Sequence, residues 1–297
     1  MPGCYAFVLC VALQGCGFFE SGEPRVFAHR AAPGHWPENS RTAVINSIAR
    51  GYPGIEVDIV LTADRVPVLA HEPWVNEELC RRGDGSEIGE RVLIRDLSLE
   101  ELHTGFRCGG IRDEEHPDAE LVEDTHMTLD ELIDALRDAP AVELYLDTKY
   151  DPELTLDADD FAREILDRWS DAGLPNQLYV ESTWAQGTRA LEEHGEVNSV
   201  LGWPRFPDGE SEAAIAGGAD LLGALGLEHA LDEVEAARAD GLSMPFQLVD
   251  WQVARQARDQ GIPVFIWTMN RRGTLERYCD QPVDYIMTDY PERAPCL

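Results

Sequence analysis

The sequence has 297 residues, of which 44% are hydrophobic, 8% aromatic and 27% charged. This is the composition of a globular protein, so it excludes a disordered or fibrous chain. The 24 Lys and Arg residues against 56 Asp and Glu residues give a formal net charge of −32. Because nucleic acids and anionic lipid surfaces repel such a chain, we expect no nucleic-acid partner. The length fits either two small domains or one α/β barrel.

A short apolar segment covers residues 6–13, and no charged residue precedes Glu20. Such a segment is too short to span a bilayer and is typical of a signal peptide. Residues 13–16, Leu-Gln-Gly-Cys, resemble the lipobox of bacterial lipoproteins, in which the cysteine is acylated after cleavage. We therefore expect a signal peptide and linker over residues 1–24. Cys16 would anchor an exported protein to a bacterial membrane, in the periplasm or at the cell surface. A buried N-terminal strand is the alternative interpretation.

Four cysteines follow the predicted lipidation site, and an even number in an exported protein favours two disulfides. Proximity in sequence pairs Cys80 with Cys108 and Cys279 with Cys296. Three connectivities are possible for four cysteines, and free buried thiols are the other interpretation.

Eight runs rich in β-forming residues alternate with segments that have apolar residues at helical spacing. The predicted strands cover residues 25–29, 55–61, 142–148, 178–183, 197–203, 219–225, 264–268 and 285–289. The clearest helical patterns are Leu129, Leu132, Ile133 and Leu136, then Phe161, Ile165 and Trp169, then Leu248, Trp251, Val253 and Ala257. This order favours a TIM-type (β/α)8 barrel formed by residues 25–297 as one domain, with active residues at the carboxyl ends of the strands.

The segment from about residue 73 to 126 interrupts the alternation, because it is polar and rich in glycine. We interpret it as a small insertion after the second strand, which contains Cys80 and Cys108. Long loops of this kind are usually functional, so we expect the insertion to cover the barrel mouth and shape the substrate site.

Carboxylates give the sharpest chemical signal. Glu56 and Asp58 lie two residues apart on a predicted strand, so both side chains point to the same face. Two like charges inside a barrel are costly unless a cation neutralises them, and oxygen ligands favour Ca²⁺ or Mg²⁺. Asp147 ends another predicted strand, with Lys149 on the same face. The alternative is that these acids cap strands or pair with arginine at the rim.

Two histidines follow strands at the same predicted mouth. His29 and Arg30 close the first strand, and His71 closes a short run just beyond Asp58. Paired imidazoles beside a phosphate can act as general acid and base, and Arg30 would supply a bidentate phosphate contact. Either histidine alone is more often an ordinary core or surface residue, so the coincidence of both carries the hypothesis.

At this point the motifs closely resemble those of the glycerophosphodiester phosphodiesterases. The similar segments are residues 29–31, 37–40, 56–58, 62–64, 66–72, 128–132, 147–149, 264–270 and 283–289, so the resemblance spans about residues 25–291. It implies a TIM-type barrel that hydrolyses glycerophosphodiesters to sn-glycerol 3-phosphate and an alcohol. The residue roles that it implies are a Ca²⁺ or Mg²⁺ site at Glu56, Asp58 and Asp147, acid and base at His29 and His71, phosphate binding by Arg30 and Lys149, and a glycerol pocket walled by Trp267.

This sequence departs from the family pattern at four positions. Ala31 and Arg65 stand where the family usually has glycine, Glu72 replaces aspartate, and Asp147 replaces the usual glutamate. With an aspartate at position 147, the sequence also resembles the sphingomyelinase D and phospholipase D toxins at this point. The shorter acid at that position puts the metal preference and affinity in question.

Two other functions remain open from the sequence. The barrel would cleave intact lysolipid head groups if an apolar rim, for which Trp74, Phe106 and Ile111 are candidates, bound acyl chains. A catalytically silent surface lipoprotein is the third hypothesis. The expected partner is a small-molecule glycerophosphodiester, the only expected membrane contact is the lipid anchor, and the oligomeric state is not predicted.

Overall fold

A closed barrel of eight parallel strands is the centre of the computed structural model, which describes residues 23–204 and 229–297. Its strands are β1 (Arg25–Ala28), β2 (Gly54–Leu61), β6 (Glu143–Thr148), β7 (Leu178–Ser182), β8 (Asn198–Gly202), β9 (Gly241–Pro245), β10 (Val264–Trp267) and β11 (Tyr285–Thr288). Strand β1 pairs with both β2 and β11, which closes the sheet. The predicted TIM-type barrel is therefore confirmed.

Helices surround this barrel. They are α1 (Arg41–Ala49), α2 (Leu99–Gly105), α3 (Leu129–Leu136), α4 (Ala158–Ala172), α5 (Ala185–His194), α6 (Ala230–Ala237), α7 (Trp251–Asp259) and α8 (Arg272–Tyr278). The three helical patterns of the sequence correspond to α3, α4 and α7. Within the described ranges, no helix is long and apolar enough to cross a membrane.

One barrel strand was not predicted. Strand β9 directly follows β8 in the sheet, and its sequence, Gly-Leu-Ser-Met-Pro, has no β-branched residue and is bounded by glycine and proline. Its neighbours in the barrel, rather than its own propensity, therefore set its extended conformation. The strand predicted at residues 219–225 lies outside the described residues, as do the signal segment and Cys16.

The inside of the barrel is filled by aromatic rings, among them Phe27, Tyr145, Tyr179, Phe265 and Tyr285. Phe27 requires a glycine at position 54, because a Cβ atom there would lie 2.6 Å from its ring. Since side chains alternate along a strand, the inward face of β2 continues from Gly54 to its two carboxylates, at the carboxyl end of the barrel.

The insertion, residues 73–126, has a small core of its own. Strands β4 (Cys80–Arg82) and β5 (Phe106–Cys108) pair antiparallel, and β3 (Pro67–Leu69) pairs with β2 ahead of them. Phe106 is only 4% exposed and packs into the insertion core. The expectation that Phe106 lies on an apolar rim is therefore wrong, because its ring is needed to hold the insertion together.

Both disulfides form with the connectivity that proximity favoured. Cys80–Cys108 joins β4 to β5 with an S–S distance of 2.07 Å, and Cys279–Cys296 joins the end of α8 to the C-terminal segment with 2.06 Å. One bond therefore crosslinks the insertion, and the other secures the end of the barrel.

Candidate active site

The predicted site residues meet at the carboxyl end of the barrel. The Lys149 ammonium lies 2.8 Å from Asp58 Oδ1 and also contacts Asp147 Oδ2. His29 Nε2 lies 4.0 Å from Glu56 Oε2. Strands β2 and β6 pair in register at Asp58 and Asp147, which brings these two carboxylates side by side.

The His29 imidazole is held by the last barrel strand. Its Nδ1 donates to Asp289 Oδ1 at 2.7 Å, and its Nε2 lies 3.4 Å from Thr268 Oγ1. A carboxylate at Nδ1 favours the tautomer that carries the proton there, so Nε2 is the nitrogen available to accept a proton.

His71 has a similar arrangement near Asp58 and Asp147. Its Nδ1 donates to Glu72 Oε1 at 3.0 Å. The glutamate that replaces the family's aspartate therefore still orients the imidazole. His71 is close enough to Asp58 and Asp147 to act on the pKa of both carboxyls.

The loop after β1 places Arg30. The backbone N–H of Arg30 donates to Glu56 Oε2 at 2.6 Å, and its guanidinium donates to Glu38 Oε2 at 2.8 Å. Asn39 makes two hydrogen bonds with Asp58, one of 2.7 Å to the carboxylate and one of 3.0 Å from the backbone N–H of Asp58. The residues of this loop thus fix the carboxylates as well as the arginine.

The loop has an unusual backbone for residues other than glycine. Ala31 has a φ of 61° and Arg65, in a separate turn, has a φ of 60°. These left-handed conformations favour glycine because a Cβ atom crowds the neighbouring backbone. The structure therefore explains why the family usually has glycine at both positions.

Burial and neighbouring charges shift the pKa values of the site acids in different directions. Burial, followed by the charge of Asp58, raises the pKa of Glu56 well above its ordinary value. Burial also raises the pKa of Asp147. For Asp58, burial acts in the same direction, but the charges of Lys149, His71 and Arg30 outweigh it and lower the pKa. Burial therefore disfavours the charged forms of Glu56 and Asp147, and the site's own cations do not fully offset it.

A fourth buried carboxylate, Glu181, was missed by the sequence analysis. Glu181 on β7 pairs in register with Asp147, and the Tyr145 hydroxyl donates to Glu181 Oε2 at 2.6 Å. Burial and the charge of Asp147 raise the pKa of Glu181 to about 8. A Cβ atom at position 202 would lie 2.2 Å from Glu181 Oε1, so Gly202 leaves room for the side chain. A charged residue inside an apolar strand run was the signal for it.

Asp289 and His116 were also missed. His116 lies in the insertion and donates to Asp289 Oδ2 at 2.9 Å and to Asp113 Oδ2 at 2.6 Å. Asp289 therefore bridges His29 and the insertion. Its position at the end of a predicted strand was a usable signal, whereas nothing in the sequence distinguished His116.

Trp267 faces the barrel axis beside the aromatic rings of the interior. Its indole Nε1 donates to Ser243 Oγ at 2.9 Å. This bond fixes the plane of the ring at the carboxyl end of β10, where a substrate would contact it.

The donor set suits a hard divalent cation. Asp147 Oδ1 is buried and has no hydrogen-bond partner in the described part of the chain, whereas both oxygens of Asp58 are engaged by Lys149, Asn39 and Arg30. An unpartnered buried carboxylate oxygen beside Glu56 is the kind of ligand that Ca²⁺ and Mg²⁺ prefer.

The glycerophosphoryl diester phosphodiesterase family model matches residues 29–293. The chain belongs to this family. In this glycerophosphoryl diester phosphodiesterase family member, the match includes both site histidines and the five site acids Glu56, Asp58, Asp147, Glu181 and Asp289.

The curated relatives match shorter stretches. An uncharacterized protein of Mycobacterium tuberculosis, Rv2277c, is 30% identical over 159 residues, which are 51% of this chain and 50% of that protein. A glycerophosphodiester phosphodiesterase of Bacillus altitudinis is 32% identical over 81 residues, covering 27% of this chain and 29% of that protein. The chain thus spans about half the length of the curated relatives it matches, or less.

Solved structures of the family share the barrel over nearly the whole chain. A structure from Silicibacter pomeroyi DSS-3 assigned to the glycerophosphoryl diester phosphodiesterases has a TM-score of 0.76 at 23% identity and covers 92% of both chains. An Oleispira antarctica phosphodiesterase, solved with the product sn-glycerol-3-phosphate, has a TM-score of 0.68 at 20% identity, covering 91% of this chain and 95% of that one. These likenesses establish the fold.

Proposed function

We propose that this protein hydrolyses glycerophosphodiesters to sn-glycerol 3-phosphate and an alcohol. The observation that carries the proposal is the position of two carboxylate-oriented imidazoles, His29 and His71, beside one cluster of buried charges. Family membership supports the same reaction class.

In this proposal the histidines share the proton transfers. One imidazole accepts the proton of the attacking hydroxyl, which is water or the 2-hydroxyl of the substrate's own glycerol. The other donates a proton to the leaving alcohol. Arg30 and Lys149 bind the phosphate, and Trp267 contacts the glycerol.

Ca²⁺ or Mg²⁺ is the cofactor that we propose for this site. Glu56, Asp58 and Asp147 would hold the ion, which would neutralise charge on the phosphoryl oxygens when bound. The unpartnered Asp147 Oδ1 supports this assignment, and Lys149 balances part of the remaining carboxylate charge.

The direct test measures release of sn-glycerol 3-phosphate from glycerophosphocholine with Ca²⁺, with Mg²⁺ and with a chelator. We expect metal-dependent release, which the chelator removes. His29→Ala and His71→Ala should each lower the rate at least about 100-fold, the usual contribution of a general acid or base. The matched control is His194→Ala on α5, because His194 pairs with Asp167 away from the site. Absence of release with either metal would overturn the proposal and favour a silent binding protein.

We also propose that the protein is exported and anchored through a lipid on Cys16. The two disulfides support export, because such bonds persist in oxidising compartments. The test is membrane fractionation of the full chain beside Cys16→Ser. Equal partition of both proteins into the membrane fraction would contradict the anchor.

A further inference from the structure

A side cavity opens between the insertion and the loop that follows β1. Its lining runs from His71 at the barrel mouth to the Cys80–Cys108 disulfide, and its volume is about 80 Å³, open to solvent at one end. Within residues 23–204 and 229–297, its lining does not include His29 or Trp267. The side cavity therefore extends away from the His71 side of the active site.

The wall of the side cavity is largely apolar. The main apolar side chains are Trp36, Leu69, Trp74, Leu79, Ile111 and Leu121. Leu121 is 45% exposed, which places it at the open end. An apolar ligand in the side cavity would bury part of this exposed leucine surface.

The side cavity is preformed. The Cys80–Cys108 disulfide crosslinks one wall. At Gly109, with a φ of 80°, a Cβ atom would lie 2.3 Å from the Val122 carbonyl oxygen and 2.8 Å from Pro37 Cβ. The insertion therefore lies directly against the loop after β1, so two walls of the side cavity are in contact with each other.

The lining favours an apolar ligand over an organic cation. Arg50 already lies 4.6 Å from the centre of the Trp36 ring, and Arg91 lies 4.0 Å from that of Trp74. Three of the five acids in the lining, Glu38, Glu72 and Asp113, are paired with Arg30, His71 and His116, respectively. A quaternary ammonium group would therefore compete with cations already in place.

We propose that the side cavity binds an alkyl or acyl chain on the alcohol moiety of the substrate. The preferred substrates are then glycerophosphodiesters whose leaving alcohol is apolar, a specificity that rests on the proposed function. With the phosphate between the histidines, the glycerol arm lies toward Trp267 and the alcohol arm enters the side cavity beside His71. Water adds across the scissile P–O bond: its oxygen stays on phosphorus, a proton goes to the leaving oxygen, and sn-glycerol 3-phosphate and the free alcohol result.

The test is a series of ethyl, butyl, hexyl and octyl esters of sn-glycerol 3-phosphate, assayed below their micelle concentrations with the full chain. We expect kcat/KM for release of sn-glycerol 3-phosphate to rise by about three- to fourfold per buried methylene. Ile111→Asp puts a charge in the side cavity and should reduce the octyl-to-ethyl ratio of kcat/KM at least about tenfold. Ile45→Asp, at an isoleucine that is 49% exposed on α1, is the matched control and should keep the ratio.

Leu121→Asp is the second variant, because a charge at this exposed position is compatible with folding. A kcat/KM independent of chain length in the unmodified protein would overturn the inference while leaving the phosphodiesterase in place. The same follows if neither charge variant changes the octyl-to-ethyl ratio. Absence of sn-glycerol 3-phosphate from every ester and from glycerophosphocholine would instead overturn the proposed function.

Discussion

Asp289 holds the His29 imidazole by a hydrogen bond of 2.7 Å to Nδ1, and it shares its second oxygen with His116. Burial opposes ionisation of Asp289, but hydrogen bonds from the two histidines outweigh it and hold its pKa well below the ordinary value. The carboxylate therefore stays charged and fixes the tautomer of His29 at any pH at which the protein is folded.

Asp289→Asn should keep the fold and lose most of the activity. An amide can present its NH₂ group to Nδ1 and favour the wrong imidazole tautomer, so we expect kcat to fall about 10²- to 10⁴-fold with little change in KM. The control is Asp167→Asn, which alters a carboxylate–histidine pair on the outer surface. Steady-state kinetics on glycerophosphocholine checks this, and a large rise in KM at unchanged kcat would contradict the positioning role.

His116 should make stability depend on pH in the alkaline range. Burial opposes its charge, but hydrogen bonds to Asp289 and Asp113 outweigh burial and raise its pKa from 6.5 to about 9. A raised folded-state pKa stabilises the fold fully below pH 6.5, and that contribution is lost as pH rises through 9. His116→Gln should therefore cost about 1–2 kcal/mol at low pH and much less above the folded pKa.

Urea unfolding of both proteins at several pH values measures this difference. His194→Gln is the control, since that imidazole lies on the outer surface. A cost for His116→Gln that is the same at low and high pH would show that the charge of His116 does not contribute.

Site residues could be predicted from the sequence where they lie at the ends of predicted strands, because this position places them close together. Glu56, Asp58, His29 and Asp147 could be grouped because carboxyl ends of parallel strands meet at one mouth. His116 could not, because it lies in a loop and its contact with Asp289 depends on how the insertion folds over the barrel. Glu181 lies inside a predicted strand. The sequence alone does not show that its side chain points inward, because this orientation depends on the register of β7 with β6.

At the scale of elements, the turn between β2 and β3 holds a left-handed residue at a position where glycine would avoid backbone strain. Arg65 has a φ of 60° in the turn between β2 and β3, and its guanidinium pairs with Asp160 at 3.0 Å. The Arg65 side chain is more than half exposed, so the ion pair contributes little and the backbone dominates the effect of substitution.

Comparing Arg65→Gly with Arg65→Ala separates these two effects, because both remove the ion pair. We expect the glycine variant to be more stable than the alanine variant by about 1 kcal/mol. Thermal or urea unfolding of the two proteins measures it. Equal stabilities, or a more stable alanine variant, would show that the turn does not keep this φ in solution.

The insertion depends on its crosslink more than the barrel does. The Cys80–Cys108 bond closes a loop with a sequence separation of 28 residues around a core of few apolar side chains. Cys80→Ala with Cys108→Ala should lower stability by about 3–4 kcal/mol, the chain-entropy expectation for this loop length. Hydrogen exchange should locate the loss in residues 73–126, and loss spread evenly over the barrel strands would contradict an insertion-specific effect.

The helices and strands that could be predicted are those whose own sequence has a strong apolar pattern. Strand β2 and helix α3 combine an apolar period with clear start signals, including a Thr128–Glu131 capping box. Strand β9 has neither an apolar period nor a start signal, and its neighbours in the sheet impose its extended shape. The alternation of strands and helices still predicted the fold class, although this strand was missed.

At the scale of the whole molecule, the net charge of −32 surrounds a site for which we propose phosphate esters as substrates. At low ionic strength this negative field should slow the approach of anionic substrates to the site. Salt screens the field, and the Debye length is about 10 Å at 0.1 M. The local cations Arg30 and Lys149 act only at short range because carboxylates surround both.

Activity on an anionic substrate should therefore rise with moderate salt. Between about 10 and 150 mM NaCl, we expect kcat/KM for glycerophosphoglycerol to increase about two- to fivefold, while the zwitterionic glycerophosphocholine changes little. Initial rates at saturating metal test this. A fall for the anionic substrate across the same range would exclude a role for the global charge.

The Asp289 carboxylate, shared by His29 and His116, links the wall of the side cavity to the orientation of the His29 imidazole. A chimera that exchanged residues 73–126 for the loop of a relative would bring a new cavity wall, yet it would also remove the imidazole that neutralises one oxygen of Asp289. Such a graft would change turnover even for substrates that never touch the wall. Recombination within this fold should therefore succeed when the incoming loop supplies its own histidine for that carboxylate.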